Sequence, residues 1–199
     1  MEALSILNWE KLIFLFSILS IVIGSCIMRI VDCFSHLIPL LSSKSKNTFY
    51  WAHLVALLML LLMLLFYWFN IFDWPVSWKQ KTSSSFLVYI STLVYPVLLY
   101  MVILILTPKL SGKTNVKLHF YKHRKTIFIV FTIASIYICF HDLILLDQKF
   151  LYQKHFLRIL GAFFTLILAS VNKKLFNKIF LWIMLLLTVI YLVYLFISK

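Results

Sequence analysis

The sequence predicts an all-α membrane protein, a bundle of about six transmembrane helices, from three observations. Hydrophobic residues make up 63% of the 199 residues and charged residues only 13%, whereas a typical soluble domain carries about 25% charged residues. The mean hydropathy is +1.01. Six apolar stretches approach the roughly 20 residues that a helix needs to cross a bilayer, and short polar segments separate them: Leu12–Val31, Tyr50–Phe72, Phe86–Thr107, Thr126–Leu146, Phe156–Val171 and Ile179–Ile197.

Two of the stretches have features that bear on their assignment. An acidic segment, Met1–Glu10, precedes the first stretch, so it does not resemble a cleavable signal, which opens with basic residues. The third contains Pro96, which frees a backbone carbonyl that must find another partner. The longest connection, Pro108–Lys125, has 18 residues, too few for a separate soluble domain. We therefore predict one transmembrane domain that covers residues 1–199.

Basic residues are distributed unequally between the two predicted sides of the bilayer. The connections after the first, third and fifth helices, with their flanks, carry net charge +11, and the other side carries +2. Lys and Arg mark cytoplasmic connections. We therefore expect both termini to be extracytoplasmic.

The connection between the third and fourth helices holds the most concentrated charge. Residues 109–125 include six Lys or Arg, two His and two aromatic residues, with no acid. Two interpretations stay open, binding of anionic lipid together with control of topology, and binding of a nucleotide or oligonucleotide regulator. The candidate ligand-binding residues, extended by the next connection on this side, are Lys113, Lys117, His119, Tyr121, Lys122, His123, Arg124, Lys125, Lys173 and Lys174.

Arg29 and Asp32 are the ionisable residues best placed to lie within the bilayer. They are three residues apart, so they share one helical face and are expected to pair. Charged residues inside the membrane often face a pore or a partner, and the alternative is that Arg29 extends to the inner interface. We take Arg29 and Asp32 as the candidate pore residues.

Catalytic, metal-binding and cofactor-binding signatures are missing from the sequence. There are no paired carboxylates, no Ser/His/Asp grouping and no CxxC motif, so we expect no enzyme activity and no cofactor. His119 and His123 share a helical face but have no third ligand nearby, so we expect no metal site. Cys26, Cys33 and Cys139 lie among apolar residues, which predicts buried free thiols.

Short aromatic and proline motifs in the second and third helices support a resemblance. They are Trp51-Ala52-His53, Tyr67-Trp68-Phe69, Trp74, and Pro96–Tyr100 with Pro108 closing the helix. Over about 60 residues they resemble a group of small, uncharacterised bacterial six-helix integral membrane proteins, which implies a fold but no activity. In size and in its basic inner connection the chain also resembles the membrane effectors of bacterial anti-phage nucleotide-signalling systems. That second resemblance implies an oligomeric channel controlled by a nucleotide or oligonucleotide. Both resemblances imply a protein of the bacterial inner membrane.

Three functional hypotheses follow for the chain. The first is a homo-oligomeric channel, with four subunits as the working expectation, whose basic cytoplasmic face binds an anionic regulator. The second is a small-solute transporter with Pro96 at a moving joint. The third is a non-catalytic membrane assembly subunit.

Overall fold

Six helices account for the regular structure of the described residues, which are 2–42, 51–71, 86–107, 115–144, 153–171 and 174–197 of a computed structural model. They confirm the all-α prediction, since these ranges hold no strand. In chain order the helices are α1 (Glu2–Ser42), α2 (Trp51–Ile71), α3 (Phe86–Leu106), α4 (Val116–Ile144), α5 (Gln153–Ser170) and α6 (Lys174–Ile197).

Two of the helices continue well beyond their predicted ends. The first predicted stretch ends at Val31, whereas α1 continues through Cys33–Leu41 to Ser42. Likewise, α4 begins at Val116, so much of the predicted connection Pro108–Lys125 is helical. Asn115 caps this helix, because the Leu118 amide donates to its Oδ1 at 3.1 Å. Hydropathy identifies only the apolar part of a helix. Polar residues such as Lys and His can continue a helix without raising its hydropathy, so the predicted ends fall short of the true ones.

Among the described residues, three helices are long and apolar enough to cross a bilayer. The candidate spans are Ile13–Ile38 in α1, Trp51–Phe69 in α2 and Val116–His141 in α4. The apolar stretches described for the other three are shorter: Ile90–Leu106, His155–Ser170 and Leu181–Tyr191. Many large apolar side chains along the helices are exposed, among them Phe14, Phe140 and Phe163. Such surface is typical of helices that face lipid.

The second helix lies at the centre of the bundle. Within the described part of the chain, α2 packs against α1, α3, α4 and α6, whereas α1 contacts only α2 and α3. The most extensive contact is between α4 and α5, where the hydroxyls of Thr132 and Thr165 are 2.7 Å apart in the interior. Leu57 and Leu64 of α2 and Ile103 of α3 are fully buried in the common core. In the described residues α1 touches only two other helices, as α5 and α6 also do, so much of its surface is left for lipid or another subunit.

Pro96 lies inside α3, as the sequence predicts, and the helix continues through it. Proline has no backbone N–H, so the carbonyl four residues earlier, that of Thr92, loses its helical partner. The buried hydroxyl of Tyr67 on α2 donates a hydrogen bond to this carbonyl. The expectation that the freed carbonyl finds another partner is therefore confirmed. The predicted buried free thiols are confirmed as well, at Cys26, Cys33 and Cys139.

Candidate basic end of the bundle

Contacts between distant parts of the chain gather the predicted cytoplasmic segments at one end of the bundle. The C-terminal half of α1 touches the end of α3 through Arg29 and Thr107. The start of α4 touches the end of α3 through His119 and the end of α5 through Arg124. We call this region the basic end.

Arg29 is anchored on the last turn of α3. Its Nε donates to Thr107 Oγ1 at 3.1 Å, and its Nη2 donates to the Thr107 carbonyl at 3.3 Å. The last carbonyls of a helix lack helical partners and carry partial negative charge, so a guanidinium here both satisfies and neutralises them. The half-buried Arg29 side chain therefore holds α1 and α3 together.

The predicted pairing of Arg29 with Asp32 is present but loose. Arg29 Nη1 lies 3.8 Å from Asp32 Oδ2, and the Asp32 side chain is 56% exposed. The other carboxylate oxygen lies 3.6 Å from His36 Nε2. Of the two candidate pore residues, Arg29 thus contacts the end of α3, whereas Asp32 lies exposed on the outer surface of the bundle.

Among the candidate ligand-binding residues whose side chains the structure describes, Arg124 is the one that is buried in the bundle. It is only 6% exposed, and its Nη1 donates to the carbonyl of Val171, just beyond the end of α5. This repeats the arrangement at Arg29, since an arginine on one helix again satisfies a carbonyl at the C-terminal end of another. Arg124 thus fastens α4 to α5.

The two histidines of this segment lie on the side of α4 that faces α3. His119 Nε2 is 2.8 Å from the carbonyl of Ile105, and the rings of His119 and His123 are 4.7 Å apart. Across the described ranges, no three His, Cys, Asp or Glu side chains are grouped closely enough to hold a metal ion.

An exposed basic face remains on the first turns of α4. Lys117, Lys122 and Lys125 are exposed, and Tyr121 is half-buried beside them. The Tyr121 ring meets the buried Phe120 ring edge-on at 5.8 Å. Lys113 and Lys173 lie outside the described residues, and Lys174 is the first residue of α6. The candidate ligand-binding side chains that the structure describes thus divide into the exposed lysines with Tyr121, the inward-facing Arg124, and the half-buried His119 and His123 on the α3 side.

The exposed lysines continue into an exposed apolar stripe along α4. Steps of three or four residues, which keep side chains on one helical face, connect the members of this stripe. They are Leu118, Lys122, Lys125, Ile129, Ile133, Ile136 and Phe140, all exposed. The character of the stripe changes from basic to apolar between Lys125 and Ile129. In a helix that crosses a bilayer, such a change is expected where headgroups give way to hydrocarbon.

A buried pair at this end escaped the sequence analysis. His53 of α2 is fully buried, and its Nε2 lies 3.7 Å from the Sγ of Cys33 on α1. The sequence around each residue predicts an apolar helix. It does not predict how α1 packs on α2, and this packing brings the two side chains together.

No family model, curated protein or solved structure matches this chain. Both resemblances drawn from the sequence stay predictions.

Proposed function

We propose that this chain is a six-span protein of the bacterial inner membrane that works as a homo-oligomeric channel and whose basic cytoplasmic end binds an anionic regulator. A nucleotide or oligonucleotide is the proposed regulator, which makes an anti-phage membrane effector the proposed biological role. Both termini are extracytoplasmic in this proposal.

The exposed basic face of α4 is the observation that carries the proposal. Three lysines with Tyr121 beside them offer charge for phosphates and an aromatic surface next to it. Proteins that bind single-stranded nucleic acid combine such lysines with aromatic side chains. Because Arg29 and Arg124 already bind helix-end carbonyls, the lysines are the groups available to a ligand.

The position of α1 supports assembly into an oligomer. This helix is at the edge of the bundle and exposes apolar side chains along its length, including Phe14, Ile21 and Met28. It also carries the exposed Asp32 next to the anchored Arg29. If α1 helices met around an axis, Asp32 would line a polar path between subunits while the apolar residues formed the contacts. Four subunits remain the working expectation.

Binding of a fluorescent single-stranded oligonucleotide to the purified protein tests the regulator. The key variant carries Lys117→Gln, Lys122→Gln and Lys125→Gln, and leaves Arg124 in place. Each phosphate contact contributes about 0.7 to the slope of log affinity against log salt concentration. We expect the triple variant to lower that slope by about 2 and to bind weakly at low salt.

A matched control removes three charges from the predicted opposite side, at Lys11, Lys79 and Lys81. This control should bind as the wild type does. Equal loss in both triple variants would show that net charge alone attracts the oligonucleotide. No binding by the wild-type protein at low salt would contradict the proposed regulator.

A further inference from the structure

A groove runs along the outside of the bundle between α4 and α5. It has a volume of about 310 Å³ and its lining is almost wholly apolar. Its walls include Ile136 and Phe140 of α4 and Phe163 and Leu166 of α5. These wall residues are about half exposed, so the groove opens to the surroundings. Its volume lies at the small end of the roughly 300–1,000 Å³ typical of ligand sites.

Polar groups on the floor of this α4–α5 groove are satisfied from within the protein. The Thr132 hydroxyl bonds the Phe128 carbonyl at 2.8 Å and the Thr165 hydroxyl at 2.7 Å. Likewise, the Ser135 hydroxyl donates to the Phe131 carbonyl at 3.0 Å. A polar solute would gain few hydrogen bonds here and would lose those it makes to water. The groove therefore favours an apolar chain.

Positive charge lies directly beyond one end of the groove. Lys122 and Lys125 belong to the exposed stripe of α4 that also supplies Ile136 and Phe140 to the groove. Lys125 is seven residues before Thr132, the first groove residue of α4, which is about 10 Å along the axis. A molecule that fills both places needs an anionic group joined to an apolar chain, with a short connecting segment between them.

Charge also argues against a second copy of the chain as the occupant. Asp32 is the single acid that the predicted topology assigns to the cytoplasmic side, against 12 Lys and Arg. A second copy in the same membrane orientation would bring mainly positive charge towards Lys122 and Lys125. A phospholipid with an anionic headgroup brings the opposite charge at the right depth.

We propose that the α4–α5 groove holds an acyl chain of an anionic phospholipid, whose phosphate is bound by Lys122 and Lys125. This site rests on the membrane placement in the proposed function but not on the oligonucleotide regulator. Lys117 lies about 12 Å further along the helix than Lys125, which places it beyond the headgroup of this lipid. The lipid and the proposed oligonucleotide would therefore compete for Lys122 and Lys125 but not for Lys117.

Photo-crosslinking of the full-length protein in lipid vesicles tests the site. One set of vesicles contains phosphatidylglycerol with a photoreactive acyl chain in a phosphatidylcholine background, and the other contains photoreactive phosphatidylcholine. We expect phosphatidylglycerol to label peptides around residues 133–140 and 159–166 above all other helices, and phosphatidylcholine to label them weakly. The variant Lys122→Gln/Lys125→Gln should lower this labelling roughly thirtyfold, since each of the two lysines attracts anionic lipid by about 1 kcal/mol, or about fivefold.

Two further variants complete the design. Lys117→Gln, a charge change on the same helix but beyond the headgroup, should leave labelling unchanged. Ala162→Leu fills the groove floor and should remove groove labelling while the lysines stay intact. Should Ala162→Leu fail to fold, the lysine variants and the wild-type labelling map still decide.

Three outcomes would overturn the site. They are equal labelling by both lipids, labelling spread evenly over all exposed helices, and no labelling of the groove peptides, which is the result expected if a second copy covered the groove. If the wild-type protein did not bind oligonucleotide but its groove were still labelled, the proposed regulator would be contradicted and the lipid site would be supported.

Discussion

The hydroxyl of Tyr67 donates a hydrogen bond to the carbonyl of Thr92, the backbone acceptor that Pro96 leaves without its helical donor. A second tyrosine, Tyr137 of α4, donates to the adjacent carbonyl of Ser91 at 2.6 Å. Two neighbouring helices thus supply hydroxyls to the turn of α3 that precedes the proline. Within a membrane, where water cannot take this place, such side-chain donors allow a proline-containing helix to stay ordered.

Loss of the Tyr67 hydroxyl should destabilise the protein through Pro96. We expect Tyr67→Phe to lower the free energy of unfolding by about 1–2 kcal/mol, because a buried acceptor loses a partner. In a Pro96→Ala background the alanine N–H can bond the Thr92 carbonyl, so the same substitution should cost clearly less. These substitutions form a double-mutant cycle. Unfolding by a denaturing detergent, followed by circular dichroism, gives the unfolding free energies of the wild type, the two single variants and the double variant.

Tyr137→Phe is the control for that cycle. Its acceptor is the Ser91 carbonyl, whose helical donor would be the backbone N–H four residues later. That residue is Tyr95, which has a backbone N–H, unlike Pro96. Pro96→Ala should therefore not change the cost of Tyr137→Phe. Equal rescue of both tyrosine variants would show that Pro96 acts on the whole helix and not on the Thr92 carbonyl.

Arg29 should matter more for stability than its ion partner does. Arg29→Gln loses charged hydrogen bonds to the end of α3, so we expect a loss of about 1.5–3 kcal/mol in unfolding free energy. Asp32→Asn should cost less than about 1 kcal/mol, because the carboxylate is exposed and the pair is loose. The same unfolding measurement compares them. A larger loss for Asp32→Asn would contradict the anchoring role of Arg29.

Arg124 and the exposed lysines should separate stability from ligand binding. Arg124→Gln removes a buried interaction with the Val171 carbonyl, so we expect a lower melting temperature. The triple variant at Lys117, Lys122 and Lys125 should keep its melting temperature and lose oligonucleotide affinity. Thermal melting and oligonucleotide titration of both proteins check this. If the triple variant also melted early, its binding defect could not be assigned to lost contacts.

Much of the fold was predictable because burial in lipid demands long apolar helices. The described helices α2, α3 and α5 begin and end within a few residues of the predicted stretches. The ends of α1 and α4 were missed because His36 and Lys117 continue a helix without adding to its hydropathy. Asn115, a good N-cap residue directly before Val116, is the signal in the sequence for the true start of α4.

Less of the basic end could be predicted, because its contacts join distant parts of the chain. Spacing alone predicts that Arg29 reaches Asp32, and it does. The closer partner, Thr107, lies on another helix and depends on how α1 packs against α3. In the same way, a row of basic residues does not reveal that Arg124 points inwards while Lys122 and Lys125 point outwards. Whether the exposed lysines bind a regulator stays a prediction.

Cysteine labelling tests the predicted orientation. The three native cysteines are buried, so a membrane-impermeant maleimide should react mainly with cysteines that are added by substitution. In intact cells, Ser5→Cys should be labelled, and Lys117→Cys should be labelled only after the membrane is opened. Labelling of position 117 from outside intact cells would reverse every assignment of sides, including that of the basic end.

Ion flux through vesicles that contain the purified protein, with and without added oligonucleotide, is the most direct test of a regulated channel. We expect flux that depends on oligonucleotide applied to the basic end. The triple variant at Lys117, Lys122 and Lys125 should show no such dependence, and native mass spectrometry should show an oligomer for both proteins. A wild-type monomer without ion flux, with or without oligonucleotide, would contradict the account.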